Sequence, residues 1–327
     1  MDSGRHVVVG AAGATGRRVV RRLVGDGLPV TAVTRDGRSV GTPGVDLVAG
    51  DARDVEAMRR VTASAAVVYH CVMPPLTRWW SDFAVTTDAL IDAAAAHGAR
   101  LVYADSTWMY GRTDGPITPQ TTIRPASAKG VLRAFMAERI LHAADIGRIR
   151  ASIVRAGELY GPGVRSMIAG NVFDAVAHDR TATWFGDADQ LITPTFIDDF
   201  AETVATVGLS DRENAAVWHV PHPAATTGRG LVAEACRQVG TRPRVREIGP
   251  RLLRTLGVVV PLAREAADLV YQFQQPFVVD GAPTTATFGV IPTPLASGVA
   301  ACLAAAAPIR SAEAVAPPAS VATNPCS

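Results

Sequence analysis

The sequence predicts an α/β protein in which a doubly wound parallel sheet is followed by a smaller C-terminal lobe. In the first 160 residues, short apolar runs rich in β-branched residues alternate with longer helical patterns. Continuous apolar strands separated by helices are typical of a parallel sheet that is covered on both faces. After Tyr160 the alternation gives way to loops rich in glycine and proline, with shorter helices between them. This change predicts a smaller lobe packed against the sheet.

The predicted strands and helices define the domain boundaries. We expect strands at residues 7–9, 30–34, 45–49, 66–69, 101–104 and 152–154, and helices at residues 17–24, 86–97 and 126–144. Residues 1–165 are expected to form the sheet domain, which also receives residues from about 190 to 220. Residues 166–307 would form most of the substrate-binding lobe. The tail at 308–327, rich in Pro, Ala, Ser and Thr, is predicted to be disordered.

Composition narrows the class of partner. With a net charge of +2, the chain has no basic excess with which to bind nucleic acid or an acidic membrane. No apolar run approaches the ~18 residues that span a bilayer, and the four cysteines include no CxxC pair. His219 and His222 have the spacing of metal ligands but lack a third ligand nearby. We therefore expect a soluble, cytoplasmic protein with a small-molecule substrate, no metal, and chains that could pair as a homodimer.

A glycine-rich loop stands between the first predicted strand and the first helix. Its glycines, Gly10, Gly13 and Gly16, have the spacing GxxGxxG. Small residues allow a tight turn and let backbone N–H groups at a helix start approach a pyrophosphate. The loop predicts a Rossmann-type dinucleotide site in which these glycines, with Ala14 and Thr15, bind the cofactor.

The end of the second strand distinguishes NADP from NAD. Sites for NAD place Asp or Glu there to bind the ribose 2′-hydroxyl, whereas sites for NADP offer Arg to the 2′-phosphate. Here Arg35 stands at the strand tip, followed by Asp36 and Arg38. These residues could instead lie on a solvated surface, with Asp36 turned inward. We predict NADP as the cofactor, with NAD as the less favoured alternative.

Several motifs in the correct order resemble those of one enzyme family. They are GAAGATG at 10–16, Gly50-Asp51, YADSTWMYG at 103–111, Arg155 with LYGPG at 159–163, and FIDDFA at 196–201. Over roughly residues 6–306 the chain resembles the extended short-chain dehydrogenase/reductases, also called the NAD-dependent epimerase/dehydratase family. The resemblance implies that Asp51 contacts the adenine, that Ser106 occupies the catalytic Ser/Thr position, and that Tyr160 lines the nicotinamide end of the cofactor.

The chain departs from this family at the catalytic helix. The family uses a YxxxK motif, in which Tyr transfers the proton and Lys holds the nicotinamide ribose. Lys129 is the one lysine among 32 basic residues and falls where the family lysine is expected, but Pro125 stands four residues earlier in place of Tyr. The resemblance therefore implies that Lys129 binds the ribose, while the usual acid/base is missing.

Two carboxyl groups could replace the missing tyrosine. Asp105 and Glu158 follow predicted strands at the carboxyl edge of the sheet, where open α/β sheets bind ligands. An apolar pocket would raise the pKa of either carboxyl towards neutrality. Each could instead be structural, with Glu158 pairing with Arg155.

The aromatic residues of the chain indicate the class of substrate. Trp79, Trp80, Trp108 and Trp184, with Met73, could form a substrate wall that favours a flat or apolar molecule, although such residues are also common in protein cores.

These features together predict an NADP-dependent oxidoreductase acting on a ketone, enone or alcohol of a small apolar or aromatic metabolite. One alternative is a non-redox epimerase, dehydratase or cyclase on the same scaffold. The other is a catalytically inactive NADP-binding regulatory protein.

Overall fold

A seven-stranded parallel sheet forms the centre of the molecule. The computed structural model describes residues 4–75, 78–211 and 214–306. The sheet has the strand order β11-β6-β5-β4-β1-β2-β3. Its strands are β1 (Arg5–Val9), β2 (Val30–Thr34), β3 (Asp46–Ala49), β4 (Ala65–His70), β5 (Arg100–Ser106), β6 (Arg150–Ala156) and β11 (Ala216–His219). The predicted doubly wound parallel sheet is therefore confirmed.

Helices cover both faces of this sheet. They are α1 (Ala14–Gly25), α2 (Val55–Val61), α3 (Trp79–His97), α4 (Ala128–Asp145) and α6 (Ile197–Leu209). Successive side chains of a strand point to opposite faces. Val8 accordingly belongs to one core cluster with Leu23 and Phe200, and Val7 to another with Phe83 and Met136. Burial on both faces explains why the central strands carry consecutive apolar residues, such as Val7, Val8 and Val9 of β1.

Short elements after β6 form the lobe. They are β7 (Leu159–Tyr160), α5 (Ala175–Ala177), β8 (Ala182–Phe185), β9 (Leu191–Ile192), β10 (Thr195–Phe196), β12 (Thr226–Thr227), α7 (Gly228–Val239), β13 (Val245–Ile248), α8 (Pro250–Leu256), α9 (Pro261–Leu269), α10 (Ala282–Phe288) and α11 (Leu295–Ala306). Six of the strands pair in twos, as β7–β10, β8–β13 and β9–β12. Between them the chain returns to the sheet through α6 and β11.

The sequence also predicts a disordered tail, which lies outside the described residues. Among the residues that are described, no helix is long and apolar enough to cross a membrane. The exact domain boundaries stay a prediction.

Candidate functional site

The glycine loop turns the chain sharply between β1 and α1. Gly10 has a φ of +84°, and a Cβ there would lie 2.6 Å from the carbonyl oxygen of Cys71. A Cβ on Gly16 would lie 2.4 Å from the carbonyl oxygen of Gly10. Both positions therefore require glycine. The backbone N–H groups of Ala14, Thr15 and Gly16 find no carbonyl partner within the described chain, so they are free to bind an anion at the helix start.

A cavity of about 300 Å³ opens beside this loop. It is bounded by the ends of β1, β2 and β4 and by the segment between β3 and α2. The structure brings four of the predicted cofactor residues to its wall, namely Gly10, Gly13, Arg35 and Asp51. Met73, which follows β4, lines the cavity as well.

Charged groups surround the β2 and β3 end of this cavity. Arg53 Nε lies 3.0 Å from Asp51 Oδ1, and this hydrogen bond lowers the pKa of Asp51 to about 2. Asp36 is engaged by Arg38, with an Nε–Oδ1 distance of 2.9 Å. Arg35 makes no side-chain hydrogen bond or ion pair within the described chain, although its charge is near enough to Asp51 to help lower the pKa of that carboxyl. Its guanidinium group is therefore available to an anionic ligand.

Asp105 is enclosed between two buried arginines. Its Oδ1 lies 3.4 Å from Arg133 Nη1, and its Oδ2 lies 3.3 Å from Arg155 Nε. Burial raises the pKa of this carboxyl, while the two guanidinium groups oppose the increase. Because both oxygens face cations, Asp105 serves to neutralise them and is poorly placed to exchange a proton with a substrate.

Arg155 continues this buried network towards the lobe. Its Nη1 donates to the Tyr110 hydroxyl at 2.6 Å, and that hydroxyl lies 2.8 Å from His219 Nε2. The other ring nitrogen of His219 lies 3.2 Å from the carbonyl oxygen of Asp280. Both ring nitrogens of His219 therefore have protein partners. Sequence reasoning missed this network because its members are distant in the chain.

Glu158 has a different environment just beyond β6. Its side chain is partly exposed, and its Oε1 accepts a hydrogen bond of 2.9 Å from the backbone N–H of Met167. Burial of the carboxyl raises the pKa of Glu158 to about 7, and the hydrogen bond from Met167 opposes the increase. The alternative pairing with Arg155 does not form, because Arg155 is engaged by Asp105. This carboxyl can therefore exchange a proton near neutral pH.

Ser106 ends β5 on the strand next to β6. In the sheet register it stands opposite Ala156, two residues before Glu158. The hydroxyl oxygens of Ser106 and Thr107 are buried, and neither has a hydrogen-bond partner among the residues that the structure describes. An unpaired buried hydroxyl costs about 1–3 kcal/mol, which a bound ligand would recover. The glycine cradle, the free amides and these hydroxyls fit a dinucleotide with a substrate beside it.

Lys129 lies in the first turn of α4. The N-cap residue, Ser127, accepts from the backbone N–H of Gly130 at 3.0 Å. The ammonium group of Lys129 forms an ion pair with Glu265 of α9 and lies 3.6 Å from Asp268 Oδ2. Lys129 therefore connects α4 to the lobe, and its contact with a ribose stays a prediction.

The remaining predicted residues are dispersed. Tyr160 is fully buried, with its ring packed against Phe173 and Phe196. Trp184 is buried against Phe273 within the lobe. The side chains of Trp79 and Trp108 are stacked, with ring centroids 5.7 Å apart. Trp79 is 4% exposed and belongs to the core cluster of Phe83, whereas Trp80 is exposed. Of the five predicted wall residues, Met73 alone is among the described residues that line the cavity.

Sequence reasoning also missed Arg133, which lies on α4 beneath the aromatic pair. Its guanidinium carbon is 4.6–5.9 Å from the ring centroids of Phe83, Trp79, Tyr103 and Trp108. Nη1 donates to the Tyr103 hydroxyl at 2.7 Å, and Nη2 lies 3.5 Å from Met73 Sδ. An arginine within the apolar stretch GVLRAFMA was the available signal.

The fold and the glycine-loop cavity are those of a Rossmann-type dinucleotide-binding domain of the extended short-chain dehydrogenase/reductase class. A family model gives the same assignment. Residues 6–217 match the NAD dependent epimerase/dehydratase family. The chain therefore belongs to this family, which confirms the predicted resemblance.

Individual relatives agree with this assignment. The chain is 28% identical over 264 residues to the dTDP-6-deoxy-L-talose 4-dehydrogenase (NAD(P)(+)) of Kitasatospora kifunensis, covering 75% of this chain and 82% of the relative. The UDP-glucuronic acid 4-epimerase of Bacillus cereus, solved with NAD, superposes with a TM-score of 0.75 at 17% identity, covering 92% of this chain and 98% of that one. A double mutant of the dTDP-glucose 4,6-dehydratase of Streptomyces venezuelae, also solved with NAD, gives a TM-score of 0.73 at 19% identity, covering 92% and 96%. The structural likeness indicates a shared fold.

Proposed function

We propose that this protein is an NADP-dependent oxidoreductase that reduces a carbonyl group or oxidises the corresponding alcohol. The observation that carries the proposal is a buried, unpaired hydroxyl on Ser106 at the strand end next to Glu158, whose pKa is about 7. A hydrogen-bond donor and a titrating acid at one sheet edge are the groups that carbonyl reduction requires.

In this proposal each side chain has a separate role in the reaction. A bound nicotinamide supplies or accepts the hydride. Ser106 donates a hydrogen bond to the substrate oxygen, and Glu158 gives that oxygen a proton in reduction or takes one in oxidation. We favour Glu158 over Asp105 because Asp105 is enclosed by two guanidinium groups.

Arg35 supports the choice of NADP. It lines the cavity without a side-chain partner of its own in the described chain, whereas Asp36 is engaged by Arg38. A free guanidinium at this strand end suits a 2′-phosphate. The relatives solved with NAD favour the alternative, so both cofactors belong in the test.

Met73, which lines the cavity, and the partly exposed Trp108 beside Arg133 support a small apolar or aromatic substrate. The dehydrogenase relative supports oxidoreductase chemistry, and its name makes a dTDP-sugar the second class of substrate.

The test combines each cofactor with aryl ketones, cyclic enones, their alcohols and dTDP-sugars, and follows absorbance at 340 nm. We expect stoichiometric consumption of NADPH with an apolar ketone. Product formation without net absorbance change would indicate the epimerase, dehydratase or cyclase alternative. Tight NADPH binding with no product from any substrate would indicate the regulatory alternative.

A further inference from the structure

The buried guanidinium group of Arg133 lacks enough acceptors. Arg133 is 1% exposed. Its Nη1 faces the Tyr103 hydroxyl and Asp105, but Nε has no partner and Nη2 meets only the thioether of Met73. A thioether is a weak acceptor, and a buried charged donor without an oxygen partner is costly. Arg133 therefore has two nitrogens that a ligand oxygen would satisfy.

Arg133 also lies where the second half of a dinucleotide would extend. The cavity begins at Arg35 and Asp51, passes the glycine loop and ends at Met73. A dinucleotide bound along this cavity lies over the strand ends of β2, β1 and β4, and β5 is the next strand in the sheet. Met73 lies at that end, with Nη2 of Arg133 3.5 Å from its sulfur, and Ser106 ends β5. Met73 is 57% exposed, so its flexible side chain can move aside for a ligand.

We propose that Arg133, and not Lys129, binds the nicotinamide-side ribose by donating from Nε and Nη2 to its hydroxyl oxygens. This inference rests on the proposed dinucleotide function. Lys129 stands four residues earlier, which is about 6 Å along a helix. Its ammonium is already paired with two carboxylates of α9. Arg133, in contrast, has unpaired donors within one side chain of the cavity.

The experiment compares two ligands on the full-length protein by calorimetry. NADPH contains both halves of the dinucleotide, whereas 2′,5′-ADP contains only the adenosine half. Arg133→Met keeps an apolar side chain within the aromatic rings but removes the donors. We expect the Kd for NADPH to rise at least tenfold in this variant, while the Kd for 2′,5′-ADP changes less than twofold. NADH with ADP forms the equivalent pair if NAD is the cofactor.

A matched control removes a guanidinium from the exposed face of the same helix. Arg139 pairs with Asp88 at the surface, and Arg139→Met should leave both Kd values unchanged. Loss of 2′,5′-ADP binding and of the folded circular dichroism spectrum would show that Arg133→Met does not fold. In that case Arg133→Lys is used to test the ribose contact. Arg133→Lys keeps the positive charge but places the donors differently. We expect it to weaken the binding of NADPH more than the binding of 2′,5′-ADP.

Other outcomes overturn the assignment. Unchanged NADPH affinity in a folded Arg133 variant, or an equal loss for both ligands, contradicts it. If Lys129→Met selectively loses NADPH affinity and the Arg133 variants do not, Lys129 binds the ribose and the assignment to Arg133 is wrong. A wild-type protein that binds neither dinucleotide nor adenosine fragment instead removes the proposed function on which this inference depends.

Discussion

Glu158 has the proton affinity that the proposed reaction requires. Burial raises its pKa to about 7, so its protonated form, the acid for reduction, is lost as the pH rises through 7. The rate of reduction should therefore fall above pH 7, and the rate of oxidation, which needs the carboxylate, should rise there. General acid–base catalysis contributes roughly 10²–10⁴-fold, and Glu158→Gln should lose that factor together with the pH step.

The measurement is kcat against pH from 5 to 9 in both directions. Glu138 is exposed on α4, and Glu138→Gln provides a control that should keep both rate and profile. A Glu158→Gln enzyme with an unchanged step near pH 7 would assign the titration to another group.

Arg35 should determine the preference between the two cofactors. A hydrogen bond from a charged group contributes about 1.5–3 kcal/mol, so Arg35→Ala should weaken NADPH binding by roughly 10- to 100-fold. NADH lacks the 2′-phosphate, and its affinity should be nearly unchanged. Titration of both cofactors against wild type, Arg35→Ala and the exposed control Arg60→Ala measures the difference. An equal loss for NADPH and NADH would contradict the NADP assignment.

The structure brings the predicted cofactor residues together more closely than the predicted catalytic residues. Gly10, Gly13, Arg35 and Asp51 meet at one cavity because each belongs to a local motif at a strand end. The partners of Lys129 lie on α9, more than 130 residues later. The orientation of a side chain on a helix and its distant partners are tertiary properties, which a motif cannot specify.

At the scale of elements, Asp268 connects α9 to the start of α4. One carboxyl oxygen lies 3.6 Å from the Lys129 ammonium, and the backbone N–H of Ala128 donates to the other at 3.3 Å. A carboxylate near the N-terminus of a helix is stabilising through its unpaired amides and dipole. Asp268→Ala should therefore lower the free energy of unfolding by about 1 kcal/mol.

Urea unfolding checks this prediction. Asp114 lies exposed in a loop, and Asp114→Ala should unfold at the wild-type midpoint. If Asp268→Ala has the same midpoint as this control, the contact between the two helices makes no net contribution.

The elements themselves were predictable to different degrees. The strands β1, β2 and β5 lie close to their predicted positions because their buried residues form short runs rich in apolar and β-branched side chains. The four-residue β11 was not predicted as a strand, since Ala216–His219 has only a short apolar run. The two-stranded pairs of the lobe were missed for the same reason, because strands of two or four residues are too short to show a periodic pattern.

At the scale of the whole molecule, the sequence predicted the sheet and a smaller lobe packed against it, but not which residues of the lobe contact the sheet domain. The alternation of strands and helices is a local pattern that repeats along the chain. The contacts that join the lobe to the sheet domain, such as the ion pair between Lys129 and Glu265, connect segments that the pattern does not relate.

Ligand binding should therefore protect regions that are distant in sequence but adjacent in the sheet. A dinucleotide that extends from β2 to β5 contacts the glycine loop at 10–16, the β2 end at 34–38 and the β5 end at 103–108. Hydrogen exchange of these backbone amides slows when a ligand suppresses local opening. NADPH should protect all three segments, whereas 2′,5′-ADP should protect only the first two. Exchange measured by mass spectrometry on the full chain distinguishes these patterns, with α8 as an internal reference. In the proposed orientation, only the nicotinamide half of NADPH lies at β5. Protection of 103–108 by 2′,5′-ADP, which lacks that half, would therefore contradict this orientation.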